Sequence, residues 1–289
     1  MKDPDCDEEP GSEFRMSPLR RLIVNADDFG RSGSINHAVI HAHREGILTS
    51  ASLMVNGEEA DEAVKLARQN PRLGVGLHLS LVCATAALPS REIPGLVDTA
   101  GNFSDHPVTT GLRYFFRPGL RPQLEREIRT QFEKFRATGL PLDHVNGHLH
   151  FHLHPVVLQV LGRNAGDWGI THFRLTRDFL RLNLRLASGH FFCRAGHALL
   201  FRLLALRARP VLSRLGIQHT AAVFGLLQNG RVDEDYVIRL IPQLPPGDSE
   251  LYSHPSLGES RIEFDALISP RARSLVQEHQ VKLIRYQDL

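Results

Sequence analysis

Short apolar runs alternate along the chain with longer segments in which apolar residues recur every three or four positions. The first run, residues 22–26, is hydrophobic apart from Asn25, as is typical of a strand buried on both faces. A helix is predicted directly after it, with Ser34 as its N-cap and Gly46 at its C-terminal end. Further strand candidates lie at 51–55, 74–81, 142–147, 172–175, 220–224, 250–253 and 281–285.

This alternation of strands and helices indicates parallel strands joined by right-handed crossovers. Eight strand candidates in roughly 270 residues fit the length of a (β/α)8 barrel. We therefore expect an α/β protein with an irregular (β/α) TIM-like barrel in a single domain. An open doubly wound sheet is the alternative, but no Gly-x-Gly-x-x-Gly follows the first strand.

Two segments interrupt the alternation. Residues 84–122 are rich in Pro and Gly and predict a long excursion over one end of the fold. Residues 177–214 predict a basic helical insertion, with helices near 179–187 and 196–208. In 174–214, nine arginines occur with a single acid and are interleaved with eleven leucines and four phenylalanines. Such helices either pack on the barrel or dock on an anionic membrane surface.

The first fifteen residues differ from the rest. Gly11-Ser-Glu-Phe14 is what a cloning linker with two adjacent restriction sites would encode, and it precedes a second methionine, Met16. We expect 1–15 to be an expression-derived leader and 16–289 to be the domain. Without the two basic and six acidic residues of this leader, the chain has 32 basic and 26 acidic residues and a formal charge of +6 rather than +2.

Composition narrows the class of protein but leaves its function open. A hydrophobic content of 42% and a charged content of 23% are ordinary for a soluble globular protein. No apolar run approaches the roughly 18 residues of a membrane span, and the stretch from Met16 to the first strand is too short to predict a secretory h-region. Outside the leader only Cys83 and Cys193 remain, which excludes a disulfide framework. We expect a cytoplasmic protein.

Polar residues with catalytic potential recur at the C-terminal ends of the predicted strands. Asp27 and Asp28 follow the first strand, His78 lies near the end of the third, His148 follows the fourth, and His254 follows the seventh. The C-terminal ends of parallel barrel strands share one face, so these side chains should meet there. The organisation of the chain thus predicts one site built from residues far apart in sequence.

The aspartate pair has two interpretations. Adjacent aspartates after a strand can simply cap the next helix, where the helix dipole favours negative charge. Alternatively, since successive side chains point in different directions, one carboxylate can bind a metal while its neighbour acts as a base.

The histidines favour the metal interpretation. His78 alone would more often be a structural residue. However, five histidines fall within residues 144–154, and in an extended chain the four from His148 onward would share one face. Asp28, His78 and His148 would offer one carboxylate and two imidazoles, which leaves coordination positions open for water and substrate. This donor set suits zinc or another transition ion better than Mg²⁺.

Five sequence strings carry a family resemblance. They are Asn25-Ala-Asp-Asp-Phe-Gly30, Leu53-Met-Val-Asn-Gly57, Gly76-Leu-His-Leu79, His144-Val-Asn-Gly-His-Leu-His150 and Ser253-His-Pro255. In order and spacing, over nearly the whole chain, they resemble the YdjC-like carbohydrate deacetylases. Residues 96–103, 113–118 and 132–144 look most like the hopanoid-biosynthesis-associated deacetylase branch of that family.

This resemblance implies a deformed (β/α) barrel that hydrolyses an N-acetyl group of an amino sugar. It implies Asp28, His78 and His148 as metal ligands and Asp27 as the base. His254 matches the family's histidine before proline and would donate a proton to the leaving nitrogen.

Three further residues matter at the expected site. His150 and Arg174 are possible additional site residues. Many relatives have aspartate two residues before the second metal histidine, where this chain has Asn146. Asparagine can orient a ligand but adds no charge, so metal affinity or preference could differ.

From these observations we expect metal-dependent removal of the N-acetyl group from an N-acetylated amino sugar. The expected substrate is an N-acetylglucosaminyl hopanoid lipid, and the expected cofactor is one divalent ion, Mg²⁺ or Zn²⁺. The alternatives are a deacetylase of soluble chito-oligosaccharides and a catalytically silent sugar-binding barrel. A sugar isomerase would want more carboxylate ligands, and a phosphodiesterase a basic cluster at the strand ends. We expect no nucleic-acid partner, possible peripheral association with the inner membrane face, and a homodimer by default.

Overall fold

A computed structural model of the protein describes residues 19–186, 191–228 and 230–289. The expected leader over 1–15 lies outside these residues, as does the last residue of the helix predicted at 179–187. The strands are β1 (Arg20–Phe29), β2 (Ser50–Leu53), β3 (Gly74–Leu79), β4 (Val145–Gly147), β5 (Ala222–Phe224), β6 (Gly247–Ser253) and β7 (Lys282–Leu283). The helices are α1 (Gly33–Glu45), α2 (Ala60–Arg68), α3 (Pro107–Phe116), α4 (Arg121–Ala137), α5 (Pro155–Asn164), α6 (Leu180–Leu186), α7 (Phe191–Arg214), α8 (Glu234–Leu240), α9 (Arg261–Ile268) and α10 (Pro270–Glu278).

The strands form one parallel sheet in the order β4-β3-β2-β1-β6-β5, and the short β7 pairs with the beginning of β1. The central strand β1 is buried from Leu22 to Phe29, because helices cover the outside of the sheet and its curvature encloses the inside. The sheet curls as an irregular barrel within a single domain, which confirms the predicted fold class.

The prediction of a regular strand at 172–175 was wrong. In the described chain this segment forms isolated bridges, His172 to Gln218 and Phe173 to Val145. Each side of the segment forms a single bridge: Phe173 N donates to Gln218 O, and Arg174 N donates to Val145 O. The segment thereby links β4 to the chain that leads into β5.

Two helix predictions and the prediction for residues 84–122 needed correction. Ser32, not Ser34, caps α1, because its backbone is extended and its hydroxyl accepts a hydrogen bond from Ile35 N. The excursion at 84–122 contains the helix α3, which begins at Pro107. The second insertion helix, α7, is longer than predicted and runs through Pro210, where the buried Ala208 and Leu212 pack it against the barrel. No helix within the described residues is long and apolar enough to cross a membrane.

Candidate active site

Three of the predicted residues form a compact group at the C-terminal ends of the strands. Asp28 is the last but one residue of β1, His78 lies in β3, and His148 follows β4; all three are buried. Asp28 Oδ1 lies 3.2 Å from His78 Nε2 and 3.0 Å from His148 Nδ1. A tetrahedral ion with bonds of about 2.0–2.1 Å separates its ligand atoms by about 3.3 Å. The group therefore has the spacing to hold a metal ion.

The tautomer of His78 also suits a metal ligand. Asn146 Nδ2 donates to Asp27 Oδ1 and to Ser52 Oγ, so its carbonyl oxygen must face His78. His78 Nδ1 lies 2.7 Å from that oxygen and must donate to it. Its other ring nitrogen, Nε2, is a buried atom with no hydrogen-bond partner among the described residues, and once deprotonated it can offer its lone pair to a metal ion. Asn146 thus fixes the orientation of the His78 ring.

The backbone and charge of Asp28 fit the same role. Its φ of 63° places it in the left-handed region, a conformation that is costly for a residue with a Cβ and that is often found at functional sites. Burial would raise the pKa of this carboxyl, but the imidazoles of His148 and His78 hold that pKa well below its ordinary value. Asp28 is therefore an ionised, acceptor-only group.

The neighbouring Asp27 has a different environment. Its carboxylate forms a bidentate pair with Arg174, at 2.6 Å from Nη1 to Oδ2 and 2.9 Å from Nη2 to Oδ1. Asn25 Nδ2 and Asn146 Nδ2 donate to Oδ1 at 2.9 and 3.1 Å. Burial would raise the pKa of Asp27, but the Arg174 charge and nearby histidines hold it well below its ordinary value. The two aspartates therefore differ in partners, as a division of labour requires.

Arg174 lies between two carboxylates. Its Nε donates to Glu250 Oε1 at 2.9 Å, on the edge of the guanidinium next to the one that faces Asp27. The guanidinium carbon also lies 4.5 Å from the centre of the Tyr252 ring, at cation–π distance. The side chain is fully buried and its pKa is well above its ordinary value, because the two carboxylates outweigh the cost of burial. Arg174 is thus a fixed positive charge behind Asp27.

His254 lies at the solvent side of Asp27. Its Nε2 is 4.0 Å from Asp27 Oδ2, and its Nδ1 is 3.8 Å from Glu263 Oε2. The backbone N–H of His254 donates to the same Glu263 oxygen. With its side chain 26% exposed, His254 can reach both Asp27 and a bound molecule.

The histidines after His148 do not share one face. Leu149 and His150 have left-handed backbones, with φ of 49° and 59°, so the segment turns instead of extending. His150 Nε2 lies 3.0 Å from Tyr252 Oη, and His152 Nε2 lies 2.9 Å from Arg174 O. Burial holds the pKa of His150 well below its usual value and lowers that of His152 to about 3. Of this run, His148 alone belongs to the metal-ligand group.

A cavity of about 750 Å³ opens beside Asp27 and His254. Tyr252 and His150 line its inner end. Most of its remaining wall is apolar and comes from α3, α7 and the turns near them, including Val108, Leu112, Phe115, Leu149, Phe151, Leu200, Phe201, Leu204, Leu226 and Leu227. The helical insertion and the excursion over 84–122 therefore build the wall of a pocket next to the site.

All seven site residues that the sequence suggested lie in this region. Their proximity to one another does not establish their roles, which depend on the chemistry of each side chain. Sequence reasoning missed Glu250, Glu263 and Ser52. Glu250 had a usable signal, since it is a charged residue inside a predicted buried strand. The other two gave none, because their importance comes from contacts across the barrel.

Comparison with known proteins gives several relatives. A carbohydrate deacetylase from Brevibacillus brevis is 41% identical over 153 residues, which cover 52% of this chain and 57% of that protein. A chitooligosaccharide deacetylase from Salmonella paratyphi B is 34% identical over 179 residues, covering 59% of this chain and 67% of that protein. The chain thus spans little more than half the length of the first relative.

A solved structure and a family profile cover more of the chain. The structure of a candidate cellobiose-phosphate cleavage protein from Enterococcus faecalis V583 superposes with a TM-score of 0.72 at 20% identity, over 93% of this chain and 98% of that one. At this identity the likeness is one of fold. The profile of the family described as YdjC-like protein matches residues 21–278. Because that match extends over most of the sequence, the chain belongs to the YdjC-like protein family.

Proposed function

We propose that the protein is a metal-dependent hydrolase that removes the N-acetyl group from an N-acetylated amino sugar. The observation that carries the proposal is the division between the adjacent aspartates. Asp28 faces two histidines with the spacing of metal ligands, while Asp27 faces Arg174 and lines the cavity. If the two aspartates instead capped the next helix, they would accept hydrogen bonds from the first turn of α1. That helix is capped by Ser32.

In this mechanism Asp28, His78 and His148 would hold a divalent ion, which would supply Lewis-acid activation of the acetyl carbonyl and of a water molecule. Asp27, kept ionised by Arg174, accepts a proton from the attacking water. His254, which reaches both Asp27 and the cavity, donates a proton to the leaving nitrogen. The amide C–N bond breaks, and the products are acetate and a free amine.

We further propose a lipid-linked sugar, such as an N-acetylglucosaminyl hopanoid, as substrate. The size and apolar wall of the cavity support this choice, because a polar chito-oligosaccharide gains little from leucine and phenylalanine side chains. The name of the Salmonella relative favours soluble chito-oligosaccharides as the second candidate. The two candidates differ only in what is attached to the sugar, so the same catalytic residues serve both.

Exposed apolar side chains that line the cavity, or that are next in sequence to residues lining it, support peripheral contact with a membrane. Phe192 is 89% exposed, Val108 75% and Phe116 71%. On the insertion, Arg181, Arg185, Arg202 and Arg207 are exposed as well. Phenylalanine and arginine together suit an anionic lipid surface. Such contact would bring the cavity to a substrate whose hydrocarbon part stays in the bilayer.

Acetate release tests the substrate proposal. The enzyme is offered an N-acetylglucosaminyl lipid in mixed micelles and, separately, chitobiose at equal concentration. We expect a higher kcat/KM for the lipid and a selective loss of that advantage in Leu204→Gln, which places an amide in the apolar wall. Equal rates on both substrates, or an equal loss on both in the variant, would favour the soluble-sugar alternative. No acetate from either would contradict the deacetylase proposal.

A further inference from the structure

Tyr286 follows β7 and lies at the opposite end of the barrel from the cavity. It is connected to the site by its contact with Glu250. Its side chain is completely buried, and its hydroxyl donates to Glu250 Oε2. A tyrosine that only filled space here would need no hydroxyl, because phenylalanine has nearly the same shape. The hydroxyl instead satisfies the one Glu250 oxygen that does not face Arg174.

From Glu250 the contact continues to the base. Glu250 Oε1 accepts from Arg174 Nε at 2.9 Å and lies 2.7 Å from Nη2. The adjacent edge of the guanidinium makes the bidentate pair with Asp27. Since a guanidinium is planar and rigid, a carboxylate fixed on one edge fixes the direction of the other edge. The orientation of Asp27 therefore depends on how firmly Glu250 is held.

A second route connects the same tyrosine to Asp27. The Tyr286 ring stacks on His144, with centroids 4.2 Å apart and planes 20° apart. His144 Nε2 lies 2.9 Å from Ser52 Oγ, and Ser52 accepts from Asn25 and Asn146, the two amides that also donate to Asp27 Oδ1. Both oxygens of Asp27 are thus held by groups that Tyr286 supports.

We infer that Tyr286 is a positioning residue for the proposed base Asp27, acting through Glu250 and Arg174, with its ring stacked on His144. It touches neither the cavity nor the metal ligands, and its hydroxyl contacts Glu250 rather than His144, so removal of that hydroxyl acts on Asp27 through Glu250 and Arg174. The expected effect on catalysis rests on the proposed function. The series of contacts from Tyr286 through Glu250 and Arg174 to Asp27, here called the contact chain, can be tested without catalysis.

The kinetic test compares Tyr286→Phe with Tyr236→Phe, a matched control whose buried hydroxyl donates to Asn183 Oδ1 at 3.1 Å, outside this chain of contacts. We expect Tyr286→Phe to lower kcat by roughly 10- to 100-fold with little change in KM, because small misplacements of a catalytic group have effects of that order. The control should change kcat less than about twofold. Glu250→Gln should reproduce the loss, with no further loss in the double variant.

A double-mutant cycle with the base excludes a merely structural role. In an Asp27→Asn background, Tyr286→Phe should lower the residual kcat no further, since the carboxylate that it positions is gone. An equal fold loss in both backgrounds, or equal losses in Tyr286→Phe and Tyr236→Phe, would overturn the inference.

A readout without catalysis separates the inference from the proposed function. Solvent exchange of the Arg174 Nε proton, followed by ¹⁵N NMR, should be faster in Tyr286→Phe than in wild type and unchanged in Tyr236→Phe. Unchanged exchange in Tyr286→Phe would refute the contact chain whatever the enzyme hydrolyses. A wild-type protein that releases no acetate, but shows the expected exchange difference, would contradict the proposed function alone.

Discussion

Replacing the two neighbouring aspartates one at a time should separate the base from the metal ligand. Asp28 Oδ1 is the atom shared by His78 and His148, at 3.2 and 3.0 Å, so Asp28→Asn removes the one charged ligand of the group. Asp27→Asn leaves that group intact. We expect Asp27→Asn to bind a stoichiometric metal ion while losing most activity, and Asp28→Asn to lose metal and activity together.

The size of the Asp27→Asn effect follows from its contacts. A positioned general base contributes about 10²- to 10⁴-fold, so kcat should fall by that factor, or about 3 to 5 kcal/mol in activation free energy. Asparagine keeps one acceptor for Arg174 in place of the bidentate pair. A lost charge-assisted hydrogen bond costs about 1.5–3 kcal/mol of folding stability, which a fold of this size can tolerate.

The assay combines elemental analysis of the purified variants with acetate release and thermal unfolding. Thermal unfolding identifies any variant whose activity loss reflects a smaller folded fraction. Metal lost from Asp27→Asn but retained by Asp28→Asn would reverse the assignment. If both variants and His78→Ala retained metal at wild-type occupancy, the metal would not bind at Asp28, His78 and His148.

Three further predictions concern the surroundings of the site. His254→Ala should lower kcat by about 10²- to 10⁴-fold while leaving metal content unchanged, and near-normal turnover would remove His254 from the mechanism. Burial depresses the pKa values of His150, His152 and His154, so the unfolded state takes up their protons first as the pH falls below about 6.5. The free energy of unfolding should therefore decrease from pH 7 to pH 5, by up to about 1.4 kcal/mol per pH unit for each imidazole. Asp178 makes a smaller contribution in the opposite direction, because burial raises its pKa to about 7. A melting temperature that increases as the pH falls from 7 to 5 would contradict the conclusion that the buried histidines are neutral. Wild-type protein should sediment with anionic vesicles at low salt but not at high salt, and a variant with glutamine in place of Arg181, Arg185, Arg202 and Arg207 should stay in the supernatant; equal binding by that variant would assign the insertion to packing alone.

The sequence predicted the convergence of the site because one geometric rule sufficed. Parallel strands present their C-terminal ends on one face, so Asp28, His78 and His148 could be grouped from their positions alone. The same reasoning could not place Arg174 against Asp27. That contact joins residues 147 positions apart, and it depends on a segment whose strand pairing splits between two neighbours.

Local conformation was also hidden from the sequence in the histidine-rich segment. A period of two predicts one shared face only if the chain is extended. Two consecutive left-handed residues, Leu149 and His150, cannot be read from a pattern of histidines and apolar residues. From the sequence, Asn146 was expected to orient a ligand; its contacts with His78, Asp27 and Ser52 required the folded barrel.

Acetate release by metal-depleted protein tests the metal-dependent mechanism most directly. The protein is stripped with a chelator, its metal content is confirmed to be near zero, and activity on an N-acetylated amino sugar is followed while Zn²⁺ or Mg²⁺ is added back. The predicted result is no acetate release from the stripped protein and full recovery at one metal ion per chain, with no recovery in His78→Ala. Acetate release at the wild-type rate by the stripped protein would contradict the mechanism.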